Sequence, residues 1–392
     1  MSDSPIVIAG GGIGGLTAAL AIAGAGQPVT IIERTAKLEA VGAGLQLSPN
    51  AIHVLRGLGL EDELRAAAFR PEAVRLMSAR SGKDIARVPL GDVIEERHGA
   101  PYLLIHRADL QSILLDAVSA QSGISLRLGV SLRDAEQDET GVLVHLETEQ
   151  GRDHLRAPAL IGADGVWSTV RRRVMKMRQA AFTGRTAYRA VVPMDDVPAE
   201  WRDCTGLWMG SKAHVVHYPL QGGSTFNIVA IIQEEWEEEG WSTPADKNRL
   251  LPRFADWPKE LVHLLDLPES WLKWALCAME PGDIRVDGRV ALLGDAGHAM
   301  LPFVAQGAAM AIEDAAVIAS CLREADDVPS ALSEYEETRR TRVDKVMRTA
   351  AENDRIYHLG YPGSLARDAV LARMPQEKML ARYDWLFGWK PE

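Results

Sequence analysis

The chain is poor in cysteine: its 392 residues include only Cys204, Cys277 and Cys321. These lie far apart and form no Cys-x-x-Cys pair, which excludes a disulfide framework, a zinc site and a dithiol redox centre. A reducing cytoplasm is the expected compartment, with each cysteine a small buried residue. Positive charge is also scarce, with 43 Lys plus Arg against 54 Asp plus Glu and a net charge of −11. A nucleic-acid or anionic-membrane binder needs a basic face, and the one basic run, Arg171-Arg172-Arg173, reads as an exposed helix face. Repeats and low-complexity tracts are absent. The uncharged stretch Pro5 to Ile32 is 28 residues long, but seven glycines and Pro28 interrupt it. Asp3 stands where a signal peptide would be basic, so neither a membrane span nor a leader is expected.

What is present is an ordinary globular composition, 47% hydrophobic and 25% charged. At about 150 residues per domain, the length predicts two or three domains.

Ile6-Val7-Ile8-Ala9 is a short apolar run that reads as a buried strand. It enters Gly10-Gly11-Gly12-Ile13-Gly14-Gly15, where Gly10, Gly12 and Gly15 satisfy G-x-G-x-x-G. Leu16, Ala19, Leu20 and Ala23 mark the inner face of a helix ending near Gly24-Ala25-Gly26. Val29 to Ile32 is a second strand, closed by Glu33. Glycines of this spacing allow a tight turn and let a pyrophosphate approach free N–H groups at a helix N-terminus. Glu33, 18 residues after Gly15, is placed to accept ribose hydroxyls. The unit predicts a dinucleotide site without choosing between NAD and FAD. Gly42 to Leu47 follows as a glycine-broken strand, and Ser48-Pro49 sets an N-cap and a first-turn proline before a helix from Asn50 to Leu58.

Two further motifs occur. Ile161-Gly162-Ala163-Asp164-Gly165 joins a strand to a helix, and Val290 to Leu293 runs into Gly294-Asp295-Ala296-Gly297-His298. Each aspartate ends an apolar strand, where it can accept hydroxyls from a polyol or simply cap the next helix. Together the three motifs resemble those of the group A flavoprotein aromatic hydroxylases, the p-hydroxybenzoate and salicylate hydroxylase superfamily. The resemblance runs over roughly residues 5 to 350 and is nearest to the salicylate, hydroxybenzoate and hydroxynicotinate branches. Gly297 replaces an alanine common in the family.

The resemblance implies an α/β fold: a Rossmann-like FAD-binding domain, an inserted β-sheet substrate domain and a helical C-terminal region. It divides the chain into FAD-binding segments 1–72, 97–178 and 280–350, substrate segments 73–96 (strands) and 179–279, and a helical tail 351–392. It places Gly10, Gly12, Ile13, Gly14, Gly15, Glu33, Arg34 and Val130 along the ADP half of FAD. Asp295 after Gly294 holds the ribityl chain, and Asp164 lies near FAD, with a role in pyridine-nucleotide binding. Gln46 and Arg107 lie near the flavin, with Arg107 opening a helix. NADH or NADPH is a transient co-substrate without a Rossmann domain of its own, consistent with the single G-x-G-x-x-G. Gly307 and Ala308 expose N–H groups at a helix N-terminus, a positive region suited to the reduced flavin anion. Pro302 fixes the loop before it.

From about Thr183 to Met279 the pattern changes to strands with long connections. Nine of the ten tryptophans lie beyond residue 200, several of them here, as ring-binding walls or as plain core. The five glutamates from Glu234 to Glu239 around Trp236 read as a solvated turn, with no metal implied. Alternation along His214-Val215-Val216-His217-Tyr218 puts His214, Val216 and Tyr218 on one face, and a Gly222-Gly223 turn pairs this strand with Phe226 to Ile231. In the hydroxynicotinate branch a His and a Tyr four apart on this strand face the substrate, matching His214 and Tyr218. Gln46 stands where that branch has a further substrate-contacting histidine. The implied activity is hydroxylation of a small phenolic acid by C4a-hydroperoxyflavin formed with O2, with His214 as base and Tyr218 as hydrogen-bonding partner. Arg189 offers either a partner for a substrate carboxylate or a surface salt bridge, and the salt bridge is the expectation. A larger ring as substrate, a non-catalytic nucleotide-binding regulator and, from the first motif alone, an NAD-dependent dehydrogenase remain open. Beyond Pro329, Glu and Arg at helical spacing predict a helix through Glu352. The tail ending in Tyr383-Asp384-Trp385-Leu386-Phe387 is expected to cover the FAD domain or to form a homodimer contact.

Overall fold

The computed structural model describes residues 4–38, 44–236 and 242–391. Five strands, Ile6–Ala9, Val29–Glu33, Ile124–Leu128, Leu160–Gly162 and Val290–Leu292, lie parallel in one sheet, edged by the antiparallel pair partner Val286–Asp287. The central strands are apolar throughout because both faces of the sheet are covered. The helices Ile13–Gly24, Arg107–Ala120 and Gly307–Glu324 contribute to the core on one face. A three-stranded antiparallel sheet, Ser131–Gln137, Val142–Thr148 and Gly151–Ala157, packs on the other.

The second large sheet has eight strands in the order Ser242–Ala245, Trp271–Ala278, Ala181–Pro193, Thr225–Gln233, Ala213–Leu220, Cys204–Gly210, Ala73–Ser78 and Asp84–Pro89. It therefore joins chain segments more than a hundred residues apart. Only the pair Cys204–Gly210 with Ala73–Ser78 is parallel. The hairpin expected around Gly222-Gly223 forms, both glycines having positive φ. One face of the sheet packs on the helix Lys259–Asp266, around Trp201, Trp208, Phe226 and Trp271. Those three tryptophans are core residues, away from the other face. The helix Gly91–His98 follows the edge strand Asp84–Pro89.

The long helix Val328–Tyr357 runs past the predicted Glu352 and is followed by the helices Gly363–Arg373, Gln376–Ala381 and Asp384–Phe387. The tail packs on the helices Gly307–Glu324 and Val328–Tyr357: Leu386 is buried against Met310 and Val346, and the Arg342 guanidinium lies over Trp385 and Trp389. Among the described residues no helix is long and apolar enough to cross a membrane. Three of the five glutamates, Glu237 to Glu239, and Gly42-Ala43 lie outside the described residues.

The basic run departs from expectation. Arg172 and Arg173 are exposed, whereas Arg171 is buried in a π-helical turn, Val170–Val174. Its guanidinium pairs with Asp283, and its Nε donates to the Arg178 carbonyl. The counter-charge makes burial tolerable, as it does for most buried arginines.

His217 occupies the face opposite His214, fully buried, and accepts the Trp208 indole N–H at 3.0 Å. Burial pushes its pKa down to about 3 from 6.5. The unfolded chain binds a proton that the folded chain refuses, so stability falls as pH drops from about 6.5 towards 3. Urea titrations across this range are expected to show a contribution of at most about 1.4 kcal/mol per pH unit from this residue, removed in His217→Gln.

Candidate active site

The carboxyl ends of Val290–Leu292, Leu160–Gly162 and Ile6–Ala9, neighbours in the parallel sheet, bring the three sequence motifs side by side. Ligands of open α/β sheets bind at this edge. Gly10 has φ 115°, and a Cβ there would lie 2.3 Å from the Ala163 carbonyl oxygen, so only glycine lets the first two loops pass. Gly12 caps the helix that begins at Ile13, and no atom lies within 4 Å of where its Cβ would project. This is an open cradle at a helix N-terminus, as a diphosphate requires. Gly14 and Gly15 form the first turn, Gly14 against Leu293 of the third motif and Ala311 of the helix Gly307–Glu324.

Glu33 ends its strand beside this loop. Its Oε2 accepts the Gly11 N–H at 2.8 Å, and its Oε1 accepts the Thr35 N–H and hydroxyl. The Val130 N–H donates to the Glu33 carbonyl at 2.9 Å, and Arg34 is exposed next to them. Arg107 opens the helix Arg107–Ala120 and is exposed, with the His106 ring capping the Ala108 N–H.

The two aspartates play different parts. Asp164 accepts the Ser168 hydroxyl at 2.5 Å and the Thr169 and Val170 N–H groups at 2.6 and 3.1 Å. Its carboxylate is spent on capping, and burial pushes its pKa up despite those bonds. Asp295 is exposed, beside the start of the helix Gly307–Glu324: a Cβ on Gly307 would lie 3.9 Å from its Oδ1. An open carboxylate at the third strand end, an open glycine cradle at the first and the partly exposed Gly307 and Ala308 at a helix N-terminus fit the ribityl, diphosphate and isoalloxazine parts of FAD.

A buried polar network that sequence reasoning missed sets this geometry. Asp314 Oδ2 accepts the Gly294 N–H at 2.9 Å and lies 2.6 Å from His298 Nε2, while Arg339 bridges Asp314 and Glu313 at 2.7 Å each. Although burial opposes ionisation, His298 and Arg339 hold the Asp314 carboxyl well below the usual range. Asn50 donates to Glu313 and Gln306, and Gln306 donates to the Ser48 hydroxyl. Ser48 precedes the helix Pro49–Gly57 as expected, but its hydroxyl joins this network and does not cap the helix. Glu313 and Asp314 are adjacent in sequence, while their arginine partners lie on another helix.

The second sheet presents the opposing wall. Cross-strand partners share a face, and the register aligns His214 with Ile231 and Ala187, Val216 with Val229 and Arg189, and Tyr218 with Asn227. His214 and Tyr218 therefore share the expected face. The His214 ring packs 4.9 Å from Phe303, the residue after Pro302 in the loop leading to Gly307. Burial, reinforced by His358, holds the His214 pKa well below its ordinary value, so the ring is neutral. Tyr218 donates to the Gly44 carbonyl at 2.8 Å, and burial pushes its pKa up to about 12. A Cβ on Gly44 would lie 2.4 Å from the Tyr218 ring, so this contact requires glycine. Gln46, two residues on, accepts the Tyr102 hydroxyl at 2.5 Å.

Arg189 corrects the expected surface salt bridge. Among the described residues it has no carboxylate partner, and its Nε is buried without a hydrogen bond. Its guanidinium lies over the Trp274 ring, 5.2 Å from the centroid, and interacts electrostatically with Tyr218 and Arg107. A separate cavity of about 580 Å³, lined by Arg75, Trp208 and Trp257, includes none of these residues.

The contrast between the aspartates is testable. Asp164→Ala is expected to lose about 0.5–2 kcal/mol of stability as a lost cap. Asp295→Ala is expected to change stability by less than about 0.5 kcal/mol. It should nonetheless weaken FAD binding roughly tenfold or more, read by flavin fluorescence.

Comparison with known proteins agrees with this architecture. Residues 3–350 match the family model described as "FAD binding domain". The chain is 35% identical over 391 residues to 3-hydroxybenzoate 6-hydroxylase of Polaromonas naphthalenivorans, covering 99% of this chain and 96% of that one. It is 37% identical over 390 residues to 3-amino-4-hydroxybenzoate 2-monooxygenase of Streptomyces cremeus, covering 98% and 95%. Among solved structures it resembles Klebsiella pneumoniae HpxO complexed with FAD and uric acid, with a TM-score of 0.85, 26% identity and coverage of 98% and 96%. With the FAD motifs, the second sheet and these full-length relatives in agreement, the chain belongs to the FAD-dependent aromatic hydroxylases and is a flavoprotein monooxygenase.

Proposed function

We propose that the protein uses NADH or NADPH and O2 to hydroxylate a small phenolic aromatic acid of the salicylate, hydroxybenzoate or hydroxynicotinate kind. Bound FAD, once reduced, supplies an activated oxygen atom from O2 to an electron-rich ring. The observation that carries the reading is one sheet face holding a neutral histidine, a tyrosine and a carboxylate-free arginine opposite the Pro302-Phe303 loop.

Each group answers one need of such a substrate. A phenol ionises near pH 10, and its ring becomes strongly nucleophilic only as phenolate, so a neutral His214 within reach acts as base. Arg189 has an unused donor and an apolar neighbour, the setting in which a guanidinium takes a carboxylate in fork geometry. The Tyr218 hydroxyl, already donating to Gly44, keeps its lone pairs for a substrate O–H. Phe303, Val229 and Ile231 line an apolar wall that keeps water from the reacting centre. The names of the two hydroxybenzoate-class relatives support the same substrate chemistry.

The direct test is NADH and NADPH oxidation by the FAD-loaded protein with a panel of phenolic acids, while assaying peroxide. Stimulated oxidation with little peroxide is expected from the true substrate class. Stimulation with stoichiometric peroxide would mark an effector, and no stimulation by any acid would favour a larger ring. Arg189→Met is expected to raise KM for the acid about 10–100-fold, while leaving KM for the matching phenol without a carboxylate unchanged. Tyr218→Phe is expected to lower substrate affinity or coupling, and unchanged values of both would remove Tyr218 from the site.

A further inference from the structure

The two ring nitrogens of His214 have different surroundings. Nδ1 lies 2.8 Å from His358 Nε2, and His358 Nδ1 lies 3.0 Å from Asp354 Oδ1. Asp354 in turn accepts Arg185 Nε at 3.0 Å and Nη2 at 3.3 Å. The file crosses from the second sheet to the last turn of the helix Val328–Tyr357, where Asp354 and His358 stand four apart on one face. It also crosses from dry to wet: His214 is 1% exposed, the His358 side chain 4% and the Asp354 side chain 20%.

The hydrogen bonds order the tautomers of two neutral rings. Burial opposes ionisation of Asp354, but the bonds from His358 and Arg185 hold its pKa below the ordinary range, so it accepts only. In a neutral His358 ring the proton then faces Asp354 from Nδ1, leaving a lone pair on Nε2. That lone pair takes the Nδ1–H of His214, which leaves the His214 lone pair on Nε2. The other groups facing His214 do not compete. Phe303 is apolar, and Tyr357, 5.5 Å away between ring centres, donates to the Phe303 carbonyl and is kept un-ionised by burial. Arg185 is held by Asp354.

We propose that His358 and Asp354 are positioning residues of a proton relay that makes His214 an effective base; this rests on the hydroxylase reading above. Alone, a histidine as buried as His214 would be a poor base, because the charge it gains has no compensation in the dry interior. In the relay the phenolic O–H breaks as N–H forms at His214 Nε2, and the Nδ1 proton of His214 passes to His358 Nε2. The positive charge then rests on His358, beside the Asp354 carboxylate and at a helix C-terminus, both of which favour it. The Nδ1 proton of His358 leaves through Asp354 to solvent. The net change is one proton from phenol to water, with both rings left in the opposite tautomer and no electrons moved.

The test compares wild type, His358→Phe and Asp354→Asn as FAD-loaded proteins, with FAD affinity as the check on folding. Both variants are expected to hydroxylate the best phenolic acid about 100-fold or more slowly at pH 7. Their rates should recover as pH approaches the phenol's own pKa, and with an analogue fluorinated beside the hydroxyl, which ionises more readily. A merely structural role would lower the rate at every pH and for both substrates alike. Nitrogen-15 spectra of the histidine rings give a readout that needs no substrate: His214 is expected protonated on Nδ1 in wild type and shifted towards Nε2 protonation in His358→Phe. Unchanged rates and pH profiles in both variants, or a wild-type His214 protonated on Nε2, would overturn the relay. If wild type hydroxylates no phenolic acid, the hydroxylase reading fails and the ring spectra decide the relay geometry by themselves.

Discussion

The arrangement of the site depends on two adjacent carboxylates, Glu313 and Asp314, buried against Arg339 with Arg342 at its edge. Taking such charges out of water costs several kcal/mol per ion, and removing one partner typically costs about 3–5 kcal/mol. The cost is tolerated because every charge has an opposite and the geometry is tight. Its structural product is specific: Asp314 grips the backbone of Gly294, and Glu313 grips Asn50, which holds Gln306. The loop ends that carry Asp295 and Gly307 are thereby tied to one helix, which crosses behind the first glycine motif. A hydrophobic contact of equal area would allow small rotations that these directional bonds forbid.

On that rigid edge the chain sets a second wall made from a different kind of structure. The parallel sheet supplies strand ends with open backbone groups, suited to phosphate and hydroxyl. The antiparallel sheet supplies a face on which side chains from neighbouring strands line up, suited to reading a ring and its substituents. His214, Arg189 and Tyr218 reach that face from two strands joined through a third. The Pro302-Phe303 loop belongs to the first wall and touches the second, through the Phe303 ring on His214. That contact joins the two walls directly.

The strand, glycine turn and helix at the start were legible because their signals are local. Residue spacing alone dictates where a helix N-terminus meets a strand end. The alternation of His214, Val216 and Tyr218 was legible for the same reason. Asp164 and Asp295 were not separable: both follow an apolar strand and both precede a helix. The difference lies in whether neighbouring N–H groups consume the carboxylate, as those of Thr169 and Val170 do for Asp164. Arg171 misled because its counter-charge, Asp283, is more than a hundred residues away.

Sequence by itself determined the elements, the three strand-end motifs and the family to which they belong, since each rests on short-range periodicity and turn chemistry. Tertiary structure alone decided which charges meet. It left Arg189 over Trp274 with no carboxylate of its own among the described residues, and it brought His358 and Asp354 to His214 from a helix end some 140 residues further on, the two histidines being 144 residues apart. The physical reason is that hydrogen bonds and ion pairs act over a few ångströms of space, and proximity in space between distant segments is set by how the sheets and helices pack.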